Sequence, residues 1–294
     1  HDDASTDGSA AFIRERYPQV VLLASERNVG FCVANQRMAT RARGEYLLFL
    51  NNDAELLPDA LSTLLREAGK PGRPAILGLA QYDAATGELM DRGCLLDPFL
   101  NALPNRDRGR VEVGVVAGAC LWLPRALWQE LDGFPEWFHA LAEDTYLCCL
   151  ARLHGYPVRV AVDSGFRHWV GKSLGGGRVT ESTFTRRALS ERNKSFVMAM
   201  VYPAPVLLLF LPLHLLLLAL EGVALSVMKG SRRPWREIYF PVFTALWRER
   251  ARLADWRARI QKGRRLGSGA FLSVFVPWPW KLALLLRHGV PRLK

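Results

Sequence analysis

A chain of 294 residues, half of them hydrophobic, is long enough to bury a sizeable core and too apolar to be a disordered polymer. Its net charge of +11 is unevenly placed: residues 229–294 hold 16 Lys/Arg against 3 Asp/Glu, a balance of +13, while residues 1–228 stand at −2. A basic tail that starts directly after the most hydrophobic stretch points to an anionic membrane surface, with a merely solvated basic face as the plainer alternative; the absence of a basic-aromatic groove motif argues against a nucleic-acid partner.

Along the chain, DDASTDGS (2–9) reads as a polar loop leading into a helix, AAFIRERY, and YPQVVLLA (17–24) as a short buried strand. Phe31, Ala34, Met38 and Ala42 recur at helical spacing up to Gly44, and EYLLFL (45–50) is a second strand. Pro58 opens a helix closed by Gly69, and RPAILGLA (73–80) is a strand. Residues 111–124 read as strand and buried segment, 125–131 as helix, 144–155 as helix and 157–162 as strand. Strands alternating with helices predict an α/β domain with a largely parallel sheet over about residues 1–195. The following segment, 196–228, contains LLLFLPLHLLLLAL and is long enough to cross a bilayer. Pro203, Pro205, Pro212, His214 and Glu221 make a kinked or interfacial helix an equal reading, and a buried capping helix is a third. The tail, 229–294, is basic and places Trp278 and Trp280 between apolar flanks, as an interfacial anchor would. Five cysteines without C-x-x-C spacing favour a reduced, cytosolic setting and no zinc site.

Four clusters carry candidate chemistry. Asn51, Asn52, Asp53 and Glu55 follow a strand, where ligands of open α/β sheets sit, and offer hard oxygens suited to Mg²⁺ or Mn²⁺; Asn-Asn-Asp is also ordinary turn chemistry. Asp2, Asp3 and Asp7 are either ligands or, for Asp7 and Ser9, a helix cap. Glu143 and Asp144 open a helix, where the helix dipole alone favours acids. His168 precedes a Gly-rich stretch (to 177) that has the composition of a mobile flap, and a lone His is more often structural than a ligand.

In this order, DDASTDGS, RNVGFCVAN, LFLNNDAEL, the GAC-LWLPRALWQELDGF run, AEDTYLCCLARLHGY and FRHWVGKS resemble the family 2 inverting glycosyltransferases, in particular their bacterial rhamnosyltransferase-like branch. The resemblance covers residues 1 to about 195, and RNKSF (192–196) followed by an apolar stretch and basic tail is similar to that branch too. It implies a GT-A fold, a Rossmann-like mixed sheet, with C-terminal membrane-associated helices. It implies that Asp2 and Asp3 contact the nucleotide, that Asn28, Gly30 and Asn35 line the donor pocket, and that Asn51-Asn52-Asp53 takes the D-x-D position. Asp53 would then hold Mg²⁺ or Mn²⁺ on the diphosphate with His168, and Glu143-Asp144 would be the acidic pair, Asp144 as catalytic base. The donor expected is dTDP-rhamnose or a UDP-sugar and the acceptor a lipid-linked glycan, at the cytoplasmic face of the bacterial inner membrane. The family also leads one to expect a preceding strand-helix-strand, so the chain reads as N-terminally truncated. A catalytically inactive membrane scaffold of the same fold is the alternative.

Overall fold

The computed structural model describes residues 1–169, 181–289 and 292–293. Its centre is a mixed sheet in the order β1 (Tyr46–Leu50), β7 (Cys120–Pro124), β3 (Ile76–Asp83), β8 (Val158–His168), β2 (Ala54–Leu56), with β4 (Leu89–Asp91) beside β3. The predicted largely parallel sheet is corrected here. β3 and β8 run parallel, but β7 is antiparallel to both β1 and β3, and β2 is antiparallel to β8. β7 enters the sheet from a long irregular segment that includes the short hairpin β5 (Cys94–Leu96) and β6 (Ala102–Pro104), so no crossover helix forces it parallel.

Alternation along the strands builds two cores. Leu47, Phe49, Leu121 and Leu123 face one cluster with α2 (Phe31–Arg41), α4 (Arg125–Glu130) and α5 (Glu143–Leu153). Leu48, Leu77, Leu79 and Trp122 face the other with Ala60 and Leu64 of α3 (Ala60–Ala68). Burying each such Leu or Phe contributes roughly 1.5–3 kcal/mol, which is why these short strands hold. The expected strand at 17–24 does not form: Val20 and Val21 are exposed, and among the described residues its one β-pairing is a parallel bridge, Asp2 to Ala24. A lone bridge gives no ladder to bury a face against. Likewise only Cys120–Pro124 of the run 111–124 is strand. The first helix, α1 (Ser9–Arg16), starts where expected, with Asp7 Oδ1 accepting Ser9 N–H (3.0 Å) and Oγ–H (2.6 Å).

β8 is longer than its sequence signal. Between Ala161 and Gly165 its register with β3 shifts, and Val162–Ser164 bulge outward. A Cβ on Gly165 would lie 2.5 Å from the Tyr82 ring and 2.7 Å from Ala80 O, so only glycine lets the strand rejoin the sheet. Beyond the bulge the strand continues to His168, which pairs with Ala54 of β2.

The C-terminal part is helical. α6 (Phe184–Val201) packs on α5 and carries α7 (Ala204–Met228), α8 (Phe240–Arg248) and α9 (Arg250–Lys262); α10 (Ser268–Leu272) and α11 (Trp280–His288) follow. α6 runs through the expected boundary at 195/196 and joins the two parts. α7 is the one helix among the described residues long and apolar enough to cross a membrane by length and composition, with a mean hydropathy of 2.3. It is not a buried capping helix: only 22% of its apolar window is covered by the rest of the chain. Val206, His214, Leu218, Gly222 and Leu225 turn inward, and Leu208, Leu209, Leu216, Leu220, Val223 and Val227 turn out.

Candidate active site

The carboxyl ends of β1, β3 and β8 lie on one edge of the sheet, and the candidate residues gather there. Asn51 leaves β1 with its N–H on Ala119 O (3.0 Å), and its own carbonyl accepts Ala54 N–H (3.2 Å), closing a turn over Asn52 and Asp53. Trp169 N–H donates to Asp53 O (3.0 Å), which pins the end of β8 to that turn. The result places His168 Nε2 3.1 Å from Asp53 Oδ1, with both side chains mostly buried. Thus residues 115 apart meet because β8 is long enough to reach β2. Asn52 and Glu55 are exposed, and Glu55 pairs with Arg167 across the strands (3.5 Å).

Gln81 was not singled out by its sequence context, yet its Nε2 lies 3.2 Å from His168 Nδ1. With the amide in this orientation Nδ1 accepts and Nε2–H donates to Asp53. A cation on Nε2 would require the Gln81 amide to turn its oxygen toward Nδ1–H, the usual outer support of a metal-ligating His. Asp53 and His168 supply an oxygen and an imidazole nitrogen, a donor set that fits Mn²⁺ or Mg²⁺ with further oxygens from a diphosphate and water. Among the described residues no cluster of three or more His, Cys, Asp or Glu that could hold a metal ion forms.

The acidic pair sits across the same edge. Asp144 Oδ2 accepts Gly118 N–H (3.2 Å), and Oδ1 accepts Thr145 N–H (2.6 Å) and Oγ1–H (3.2 Å). Since Ala119 bonds Asn51 and Gly118 bonds Asp144, the segment before β7 ties the two clusters together. A Cβ on Gly118 would sit 3.6 Å from Glu143 Oε1 and 3.8 Å from the Phe31 ring, which brings the start of α2 to the same place. Burial, then the neighbouring Asp144 charge, pushes Glu143 up to about 8, and its Oε2 is buried with no hydrogen-bond partner. Burial also raises Asp144, opposed by its bonds to Gly118 and Thr145. Two adjacent carboxyls, Glu143 buried and Asp144 half-buried, do not both ionise readily; the hydrogen bonds favour the charge on Asp144 and the proton on Glu143. Asp91, opposite Gln81 on β4, is pushed up to about 7 by burial; no sequence motif marked it.

Three non-glycine residues just before the pair, His139, Leu141 and Ala142, have φ of 68°, 70° and 62°. This strained loop is held from α6: Asn193 Nδ2 donates toward Phe138 O (3.2 Å), Ala140 O (2.9 Å) and Leu141 O (2.8 Å). The remaining expected residues divide by role. Asp2 is buried and accepts Ser5 N–H (3.2 Å). Asp3 spends both oxygens on the loop that leads into α2, accepting Val29 N–H (2.7 Å) and Gly30 N–H (3.0 Å). Gly30, at φ 87°, has the His139 ring against its Cα, where a Cβ would lie 2.2 Å from Nδ1. Asn28 is exposed, and Asn35 is buried with its amide on Phe31 O (2.8 Å). The Gly-rich stretch expected as a flap lies, from residue 170, outside the described residues. All five cysteines are free.

A mixed sheet with a D-x-D-like turn and an acidic pair at one edge defines the GT-A fold of the glycosyltransferases. Comparison with known proteins agrees: residues 1–129 match the family model described as Glycosyl transferase family 2, a little under half of the chain. Among solved structures the chain is similar to GalNAc-T7 with UDP, GalNAc and Mn²⁺ (14% identity, TM-score 0.50, 68% of this chain and 41% of that one). It is also similar to the mannosyltransferase PcManGT of Pyrobaculum calidifontis with GDP-Man and Mn²⁺ (18%, 0.47, 89% and 74%) and to S. aureus TarS 1–349 with UDP-GlcNAc (18%, 0.49, 89% and 80%). At these identities the first likeness establishes the fold; the chain spans 41% of that structure's length. No curated protein sequence matches the chain.

Proposed function

We propose that this protein is an inverting glycosyltransferase that moves a sugar, rhamnose by preference over a UDP-linked hexose, from a nucleoside-diphosphate donor to a lipid-linked glycan at the cytoplasmic face of the bacterial inner membrane. The observation that carries the reading is the meeting of two unlike polar pairs on one sheet edge: Asp53–His168 and Glu143–Asp144, joined through Gly118 and Ala119. One pair suits a cation-bound diphosphate and the other suits a proton transfer. The similar solved structure of GalNAc-T7 holds UDP, GalNAc and Mn²⁺, which supports the donor class. Asp53 and His168 would hold the Mg²⁺ or Mn²⁺, whose positive charge would stabilise the departing diphosphate.

In this reading the acceptor hydroxyl oxygen forms the new bond to the anomeric carbon from the face opposite the leaving group. The carbon–oxygen bond to the diphosphate breaks with its electron pair, and the hydroxyl proton goes to an Asp144 carboxylate oxygen. Asp144 suits that task because burial raises its proton affinity while Gly118 N–H and Thr145 fix its orientation. Glu143, protonated near neutral pH, limits the charge the site must carry. The basic tail and the outward apolar face of α7 support residence at an anionic bilayer surface.

The test pairs calorimetry with turnover. Wild type binds UDP or dTDP in the presence of Mn²⁺ and turns over a nucleotide sugar; Asp144→Asn keeps the binding and loses turnover by about 10²–10⁴-fold. Full activity in Asp144→Asn removes the base assignment. No nucleotide binding by the wild-type protein would favour a sugar-binding scaffold of the same fold.

A further inference from the structure

α7 carries three polar side chains in 25 residues, and each of them meets protein. His214 Nε2 lies 3.0 Å from Ser195 Oγ of α6. Glu221 pairs with Arg187 of α6 and with Lys281 of α11 (2.9 Å). Ser226 Oγ accepts Trp235 N–H (3.2 Å). The first two contacts set α7 antiparallel to α6, with 214 beside 195 and 221 beside 187. Gly222 lets the π-helical turn Trp235–Tyr239, which leads into α8, close on the same side: a Cβ there would lie 2.7 Å from the Trp235 ring. α7 is therefore bound along its length to α6, and α6 in turn packs on α5 and holds the loop before Glu143.

The other side of α7 is apolar from end to end. Leu209, Leu213, Leu216, Leu220, Val223 and Val227 recur at steps of four and three and are all exposed. At about 1.5 Å per residue the stripe runs for roughly 35 Å. Leu217, Leu220 and Ala224 line one hollow with Leu282 and Leu285 of α11, so α11 widens the apolar surface. Directly after the stripe come Lys229, Arg232 and Arg236, exposed and without an ion pair among the described residues. A second copy of the chain would set these like charges against each other, whereas an anionic bilayer takes both the stripe and the charges.

A helix that crossed the bilayer would have to carry its protein side with it. That side includes α6 with Arg187, Glu191, Arg192 and Lys194, which cannot enter hydrocarbon without a large penalty. Standing α7 upright alone would break Glu221 from both its cations and His214 from Ser195. We propose that α7 lies in the plane of the membrane interface with only its apolar stripe immersed, and that both of its ends stay on the side of the sheet edge that carries Asp53 and Asp144. The proposal rests on the membrane residence put forward above and not on the sugar-transfer chemistry.

Thiol labelling of the full chain in bacterial inner membranes tests it. Ser62→Cys on α3 and Ser231→Cys just past α7 are both at exposed positions, and the five native thiols, buried or half-buried, set the background. A membrane-impermeant maleimide should label both new thiols equally in inverted vesicles and neither in spheroplasts. Labelling of Ser231→Cys from the spheroplast side alone overturns the in-plane arrangement. Recovery of the chain wholly in the soluble fraction overturns the membrane residence and the proposal with it, while sugar transfer by the purified chain stays a separate question. A second measurement uses flotation on vesicles of equal phosphatidylglycerol and phosphatidylcholine. Leu209→Glu, Leu216→Glu and Val227→Glu should each weaken binding by about tenfold or more, because the whole stripe is immersed to one depth. A loss confined to Leu216→Glu, as the middle of a span would give, overturns the proposal.

Discussion

Asn193 offers the sharpest test of how the helical part controls the acidic pair. Its side chain is fully buried, and the two hydrogens on Nδ2 serve three carbonyls, those of Phe138, Ala140 and Leu141. Asn193→Leu keeps the volume and removes the donor. Two hydrogen bonds at about 1 kcal/mol each, plus buried carbonyls left without partners at about 1–3 kcal/mol, give a loss on the order of 3–5 kcal/mol. The left-handed conformations of His139, Leu141 and Ala142 cost at least about 1 kcal/mol each, so a loop freed from Asn193 has reason to relax. Relaxation would move the start of α5, and with it Glu143 and Asp144. Urea denaturation should show the stability loss, and sugar transfer should show a fall in kcat larger than any rise in donor KM. Asn193→Asp, which keeps the acceptor for Arg192 Nε (2.9 Å) but sets carboxylate oxygens against carbonyls, should be at least as harmful. Wild-type stability in Asn193→Leu would refute the hydrogen-bond argument. Lost stability with unchanged kcat would refute the steering of Asp144.

Three further expectations follow from the same geometry. Glu143, raised to about 8 from 4.5, binds its proton more tightly in the folded protein. Its contribution to stability is therefore full below about pH 4.5 and is lost as pH rises toward about 8; Glu143→Gln should flatten the fall in thermal midpoint over that window, and an unchanged slope would count against it. Gly30→Ala should destabilise twice over, through contact with His139 and through a φ of 87°; adding His139→Ala should recover the first part and leave about 1 kcal/mol in a double-mutant cycle. Asp53→Asn and His168→Ala should each weaken Mn²⁺-dependent UDP or dTDP binding by about tenfold or more in calorimetry, and wild-type affinity in both would remove the metal assignment.

Local pattern made the strand ends and helix starts readable, because each depends on neighbours a few residues away. β1, α3 and α5 begin and end within a few residues of their signals. Contacts between distant segments were not readable in that way. Gln81 meets His168 across 87 residues and Asn193 meets Leu141 across 52, and neither carries a local mark of its role. Asp3 shows the same limit from the other side: the acidic loop was evident, but its hold on the amides of Val29 and Gly30 appears only when the two loops are folded together. The strand expected at 17–24 had the right composition and lacked a ladder to join.

α7 shows that some of what hydropathy concealed was present in the residue spacing. Leucine on nearly every side hides the helix's orientation, and a hydropathy window treats it as uniform. His214, Leu218, Glu221 and Leu225 nevertheless recur at steps of four, three and four, so the two polar residues share one stripe with two leucines. In the structure His214, Leu218 and Leu225 are buried, Glu221 meets Arg187 and Lys281, and the outward leucines fall on the opposite side. A helix lying fully within a bilayer has little reason to place a histidine and a glutamate seven residues apart, whereas one that rests on a charged protein floor gains two anchoring contacts from that spacing. The polar stripe is thus the feature that sets α7 against α6, with its apolar side turned outward.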